Sequence, residues 1–556
     1  MRPTNPVDFN EAFVEARHDH CEIEEPMEET RKDGTTTVQQ SARRHDLDAL
    51  RAFAMLLGIV LHSAMSFIPN ARFITAVQDN RPSPLYGLLM QLIHGWRMPV
   101  FFLISGFFTA MLWRKRGLHA LLMNRMKRIL LPLFLSMFTI IPTIWMVYHF
   151  IGGEGDTAFP EPSTVDQEAV QRSDIDVFAA IAVDDQDSLR KWIAEGGDLQ
   201  KTDPNGSSPL HVACFFGRAD AAQILLDAGA DTESRNRDQL RPEDILKLDW
   251  TITNFIAQTV QVPLDREKLF EQRALIGGMI SEKTQRPVTV PDDSVGTDNE
   301  VLTVLMKFPL FGHLWFLWFL CWFVLVFAIG VQVCRLLPIN AVPGVWLTSV
   351  WRYLWLIPLT AVPQYFMARG PGGFGPDTSL GLVPIPAVML YYLIFFVYGV
   401  LYYGADDQRI AVGRGFEWKL PLAILLVFPL AIEKTNPPDE SGWIIFSVLQ
   451  VSYAWLMSFG MIGMFHRFCS TSRFWIRYLS DSSYWLYLIH IPLVMMLQFL
   501  VCDWSIPSLP KYLFVCGMTM IILLVSYHYC VRNTWLGGLL NGRRYPPRAS
   551  WREDVA

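Results

Sequence analysis

The sequence predicts an all-α, polytopic membrane helical bundle of about ten transmembrane helices, interrupted by an inserted extracytoplasmic helical-repeat domain. Three observations predict it: composition, segregation of charge, and the recurrence of apolar runs long enough to cross a bilayer. Of 556 residues, 51% are hydrophobic and 18% charged, with 19 Trp and 37 Phe. The net charge of −6 hides its own distribution, because the charges crowd into the first 45 residues and into 152–300 and elsewhere only punctuate apolar runs. Such a chain is too long for one compact soluble domain and reads as membrane helices carrying soluble attachments.

A helix needs about 20 apolar residues to cross the hydrocarbon core. The candidate spans are 47–68, 86–112, 129–151, 308–333, 346–366, 384–403, 420–433, 443–465, 483–502 and 511–531, the seventh being short and flanked by Pro421 and Pro429. Lys and Arg concentrate in cytoplasmic loops. With the N-terminus in the cytosol, inside segments hold 21 of them, including Arg114, Lys115, Arg116, Arg125, Lys127 and Arg128, whereas the short outside loops hold 5 (Arg72, Arg81, Arg369, Lys434 and Lys511). Both termini are therefore expected on the cytosolic side of the cell (inner) membrane. Residues 152–300, which join the third and fourth spans, are expected outside. The expected order is a membrane part at 46–151, the insertion, and a second membrane part at 301–535.

Residues 1–45 carry ten acids, Asp8 through Asp33, against four bases up to Lys32, and lack the basic start and apolar core of a signal peptide. They read as a disordered acidic cytosolic tail, and 536–556 as a basic one. The eight cysteines show no CxxC pair and no disulfide spacing, so neither a metal site nor a disulfide scaffold is expected. No nucleic-acid partner is expected; the lipid bilayer is.

Within the insertion, an offset of 33 residues places Ala180 on Ala213, Ile193 on Leu226, Gly196 on Gly229, Asp198 on Asp231 and Pro209 on Pro242. The middle copy, NGSSPLHVACFFGRADAAQILLDAGADTESRNR (205–237), resembles the ankyrin repeat, with SPLHVA standing for the signature of that family. Pro209 starts its first helix, Ala213 and Ala222 let the helices approach, and Gly229 ends the second. Flanking copies at about 174–204 and 238–260 are degenerate, as terminal repeats should be. By analogy the block is expected either to bind a protein partner or to serve as a spacer or lid. Gly370-Pro371-Gly372-Gly373-Phe374-Gly375 fits a dinucleotide fingerprint in spacing but follows no strand and precedes Pro376, so it is not read as one.

Ionisable side chains inside spans are costly and usually face the bundle interior or a water-filled cavity. In the first span Arg51 and His62 stand eleven residues apart. At 100° and 1.5 Å per residue they share a face to within about 20° and lie about 16 Å apart along the axis. Asp48, one turn before Arg51, can pair with it. One helix face thus links an anion-binding group near the cytosolic mouth to a proton-transfer group in the outer half.

HDLDALRAFAMLLGIVLH resembles the opening helix of the acyltransferase family 3 proteins, which carry Arg or Lys, ten residues, then His. HGWRMPVFFLISGFF (94–108) is similar to that family's second helix, Arg125-Met126-Lys127-Arg128 to its Arg-x-x-Arg, and HLWFL (313–317) and SYWLYLIH (483–490) to two later signatures. The resemblance covers about 45–150 and 305–535, and the wording at 94–99 leans toward the branch that adds succinyl groups to periplasmic glucans. It implies a cytosolic acyl-CoA donor, no metal, and transfer of an acetyl or succinyl group to a hydroxyl of an extracytoplasmic glycan. His62 would then be the general base or a transient acyl carrier. Arg51 would orient the donor, and Arg125, Lys127 and Arg128 would hold the CoA phosphates. His94 and Arg97 would stabilise the thioester oxyanion or the acceptor.

Other readings stand beside these. A membrane histidine can simply hydrogen-bond a neighbouring helix, and for His313 and His490 both readings are open. His149 and His528 read as interfacial or structural. Ser105-Gly106 reads as a helix-packing site, and the basic loop residues also satisfy the orientation rule alone. A transporter or flippase with Arg51 and His62 lining its path is the alternative function.

Overall fold

The computed structural model describes residues 44–69, 77–154, 176–290, 305–306 and 309–542, apart from 204–205, 237–239, 249, 260–261, 337–342, 369–373, 406, 408–409, 436, 438–439 and 472. The acidic tail before Arg44 and the basic tail beyond Gly542 lie outside the described residues, as do Arg72, Arg369 and Gly370 to Gly373. The described residues are all-helical. They divide into two compact units, Met1–Ile151 with Pro309–Ala556, and Gly152–Phe308.

In the first unit the helices are α1 (His45–Ala64), α2 (Pro84–Arg125) and α3 (Leu131–Glu154) before the insertion. Because α4 to α10 belong to the insertion, the unit resumes with α11 (Trp315–Leu336), α12 (Gly344–Thr348), α13 (Arg352–Ala368), α14 (Pro386–Gly404), α15 (Phe416–Pro421) and α16 (Phe428–Glu433). It ends with α17 (Glu440–Cys469), α18 (Phe474–Val501), α19 (Ser508–Ser526) and α20 (Trp535–Asn541). Helix covers part of every expected span. Among the described residues, seven runs are long and apolar enough to cross a membrane. One of them, Pro84–Ile151, takes in both the second and third expected spans and bends at Gly117, whose φ of +75° breaks the helix, and at a π turn over Met126–Leu130. Two expected spans fall short of that measure for local reasons. α13 has only 17 residues. The 18-residue run of α15, the π turn Leu422–Val427 and α16 carries three charged residues, Glu417, Lys419 and Glu433.

α1 sits among α2, α17, α18 and α19. Its N-terminal end is anchored by Asp46, which accepts from Arg44 Nε and Nη2 at 3.0 Å each and lies 3.1 Å from His466 Nδ1, in the last turn of α17. α2 and α14 pack backbone to backbone. A Cβ on Gly106 would stand 2.0 Å from the Phe396 carbonyl, and one on Gly399 1.9 Å from that of Leu103. Ser105-Gly106 is thus the packing site expected of it, since only small residues allow such an approach. Lys511 corrects a reading of the sequence. It is not a loop charge but a fully buried residue in the first turn of α19, bonded to Asp79 Oδ2 (2.8 Å), Asn80 Oδ1 (2.8 Å) and the Cys502 carbonyl (3.0 Å). A buried ammonium requires this full set of acceptors.

The second unit stacks three helix pairs: α4 (Val177–Ala182) with α5 (Gln186–Ala194), α6 (Pro209–Phe216) with α7 (Ala219–Asp227), and the four-residue α8 (Pro242–Ile245) with α9 (Trp250–Thr259). The Ser-Pro-Leu-His signature explains the joint between the second and third. His211 Nδ1 accepts from the Ser208 N–H (3.1 Å), so its Nε2–H donates to the Leu240 carbonyl in the next repeat (3.0 Å). The array does not stop near residue 260. α10 (Arg266–Thr284) adds Ile276 and Ile280 to the same core. Its buried Arg273 also donates to the carbonyls of Cys214 (3.2 Å), Phe215 (2.7 Å) and Leu248 (2.7 Å), which closes the C-terminal end of α6.

Candidate active site

Four elements of the first unit place ionisable groups around one spot. α1 supplies His62, α2 supplies His94 and Arg97, the short turn Gly312–Leu314 before α11 supplies His313, and α18 supplies His490. Gly58 stands one turn before His62, on its face of α1. A Cβ there would meet Arg97 Nη1 at 2.7 Å and His490 Nε2 at 3.9 Å. The missing side chain therefore lets the guanidinium lie against the His62 face. The rings of His62, His490 and His313 follow one another at centroid separations of 5.2 and 5.5 Å.

Hydrogen bonds fix which nitrogen of each ring is spare. A carbonyl only accepts. His490 therefore carries its proton on Nδ1, toward the Tyr487 carbonyl (2.8 Å), and His313 carries its own on Nε2, toward that of Leu488 (3.0 Å). The remaining nitrogens, His490 Nε2 and His313 Nδ1, are buried without a hydrogen-bond partner among the described residues, and so is Arg97 Nε. His62 Nδ1 contacts Met65 Sδ at 3.2 Å, which leaves Nε2 as its spare acceptor, while Gln498 holds the His62 carbonyl at 2.9 Å. His62, His94, Arg97 and His313 are half-buried and His490 is buried. Among the described residues no carboxylate pairs with Arg97. His94 differs from the others. Its Nε2–H is engaged by the Pro376 carbonyl at 2.8 Å, so a neutral His94 has no donor left for an oxyanion.

A second cluster lies toward the start of α1. Arg51 pairs with Asp48 (3.3 Å) and lies over the Phe108 ring of α2 at 5.4 Å. Arg125, from the end of α2, donates to Thr109 Oγ1 (3.1 Å) within electrostatic range of both Arg51 and Arg128. Lys127, on the same π turn, is exposed. The structure therefore gathers Arg51, Arg125 and Arg128 at one end of α1 and His62 with Arg97 at the other, while Lys127 stands apart. His313 and His490 join the His62 group. The signal that finds them is the histidine at the start of HLWFL and at the end of SYWLYLIH. His149 is exposed, and His528 lies 3.5 Å from the Tyr478 hydroxyl, away from both clusters. Among the described residues no group of three or more His, Cys, Asp or Glu could hold a metal ion.

Comparison with known proteins sharpens this picture. The profile of acyltransferase family 3, described as an acyltransferase domain, matches residues 44–170 and 287–528, more than half of the chain. The ankyrin-repeat profile matches 205–237. The glucans biosynthesis protein C of Escherichia coli (strain SMS-3-5 / SECEC) is 31% identical over 119 residues, 21% of this chain and 29% of that protein. The protein of the same name from Escherichia coli O6:K15:H31 (strain 536 / UPEC) is 30% identical over 129 residues, 22% of this chain and 31% of that protein. The chain thus spans under a third of the length of these curated relatives. No solved structure matches it.

Proposed function

The chain belongs to acyltransferase family 3, and on that premise we propose that it moves an acetyl or succinyl group from cytosolic acyl-CoA to a hydroxyl of an extracytoplasmic glycan, with His62 as the general base. The observation that carries this reading is the convergence of His62, Arg97, His313 and His490 on one spot, with spare nitrogens and a guanidinium that no carboxylate pairs with among the described residues. His62 Nε2 takes the proton of the acceptor hydroxyl, whose oxygen attacks the thioester carbonyl. The tetrahedral oxyanion is stabilised by Arg97, a donor already in place and shielded from bulk water. Collapse expels CoA as the thiolate, which recovers the proton from the His62 imidazolium. Arg51, Arg125 and Arg128 hold the donor's phosphates about 16 Å away along α1. His94 holds the loop after α13 in place rather than the oxyanion.

The same reading takes about ten spans, with both termini cytosolic and the repeat unit outside, from the distribution of Lys and Arg. The names of the relatives favour a glucan as acceptor. The test uses purified protein, labelled acyl-CoA and a glucose oligosaccharide. Wild-type protein should release free CoA thiol only when the acceptor is present. His62→Ala should lower that release by about 10²–10⁴-fold. A transporter would bind the labelled compound without releasing thiol, and release from His62→Ala at the wild-type rate would end the proposal.

A further inference from the structure

α18 brings one buried imidazole against the His62 face of α1. His490 is 2% exposed, and the Tyr487 carbonyl, one turn earlier, takes its Nδ1–H at 2.8 Å. Its other nitrogen, Nε2, therefore presents a lone pair. That lone pair lies 3.9 Å from the position of a Cβ on Gly58, a position only 2.7 Å from Arg97 Nη1. The His62 ring stands 5.2 Å away at a tilt of 49°, and the His313 ring 5.5 Å away.

His490 Nε2 is buried with no hydrogen-bond partner among the described residues. An unmet buried acceptor is costly, so the lone pair implies a donor that comes and goes during the reaction. The neighbouring groups narrow the choice. His313 gives its N–H to the Leu488 carbonyl, and His62 Nδ1 lies against Met65 Sδ. Arg97 is a permanent donor, yet it makes no bond to this nitrogen. What remains is the proton that His62 gains on its own Nε2, present only while the imidazolium exists. That proton arrives from the hydroxyl oxygen and leaves to the thiolate sulfur, so an acceptor is needed between the two events. Among the described residues no carboxylate pairs with Arg97, and a neutral imidazole takes the orienting place that a carboxylate fills in other acyl transferases.

We propose that His490 is a positioning residue of the His62 site, its Nε2 accepting the N–H of the His62 imidazolium while the tetrahedral intermediate collapses. The assignment rests on the acyl-transfer reading of that site. The experiment measures steady-state kinetics of the full-length protein in detergent, with acetyl-CoA and succinyl-CoA as donors and a glucose oligosaccharide as acceptor. Asn keeps a donor near Nδ1 for the Tyr487 carbonyl but offers nothing at Nε2, whereas Gln reaches Nε2 with an acceptor oxygen and gives up the Tyr487 bond. His490→Asn should lower kcat by about 10–100-fold, the worth of a hydrogen bond to a charged group, and leave both KM values within about twofold. His490→Gln should recover kcat to within about threefold of wild type, and His490→Asn should cost nothing further in a His62→Ala background, because the two residues act as a unit. A purely structural histidine predicts the reverse, with Asn active and Gln impaired. That result, a wild-type kcat in His490→Asn, or a loss confined to KM overturns the proposal. If His490→Asn is not monodisperse, His490→Gln decides, and a kcat loss above about threefold then counts against it. Wild-type protein that transfers to no acceptor defeats the acyl-transfer reading itself, and this inference with it.

Discussion

Among the described residues no carboxylate pairs with Arg97, and its position depends on an atom that is not there. Any side chain at Gly58 would enter the space of the guanidinium, 2.7 Å from Nη1 even for a single methyl. Gly58→Leu should therefore displace Arg97 from the His62 face and lower turnover by about 10²–10³-fold, the usual cost of losing one preorganised donor. Gly117→Ala, at a position with nothing within 4 Å of the added Cβ but a φ of +75°, tests backbone strain in α2, the helix that carries Arg97. Turnover in Gly58→Leu equal to wild type would show that Arg97 does not act where it lies. The pairing of Arg51 with His62 on one face was legible in the sequence because helical periodicity alone dictates it. The role of Gly58 was not, since nothing in the sequence says that residue 97 approaches residue 58.

At the scale of elements, the repeat unit offers a pH dependence whose sign follows from one ring. Burial lowers the pKa of His211 below its ordinary 6.5. Protonation would place a proton on Nδ1, the atom that accepts the Ser208 N–H. The unfolded chain thus binds the proton more readily, so stability is full above about pH 6.5 and falls as the pH drops toward the folded pKa. Hydrogen exchange in α6 and α7 of the full-length protein, corrected for intrinsic rates, should show weaker protection at pH 5.5 than at 7.5. His211→Gln should flatten that difference, and an unchanged difference would place the titrating group elsewhere. The middle repeat was legible from SPLHVA and its 33-residue offset. α10 was missed because it repeats nothing, and its place in the array follows from the bonds of Arg273 to carbonyls 58 and 59 residues away. Lys511 was misread for a similar reason, its partner Asp79 lying 432 residues earlier.

For the whole molecule, the proposed two-sided transfer rests on a division of charged groups along α1. Arg51, Arg125 and Arg128 gather toward one end of α1 and the imidazoles of His62, His313 and His490 at the other, and the proposal assigns donor and acceptor to these two ends. Hydrophobic runs and helical periodicity made the helical bundle and the shared face of α1 legible. The meeting of His62 with Arg97, His313 and His490 needs three other helical segments and could not be read from any one of them. The most direct test is transfer across sealed membranes. Right-side-out vesicles containing the protein are loaded with labelled acyl-CoA and given a glucose oligosaccharide only outside. Two-sided catalysis predicts labelled oligosaccharide outside and free CoA inside, both lost in His62→Ala. Label that reaches the oligosaccharide only when donor and acceptor share one side of the membrane would contradict it.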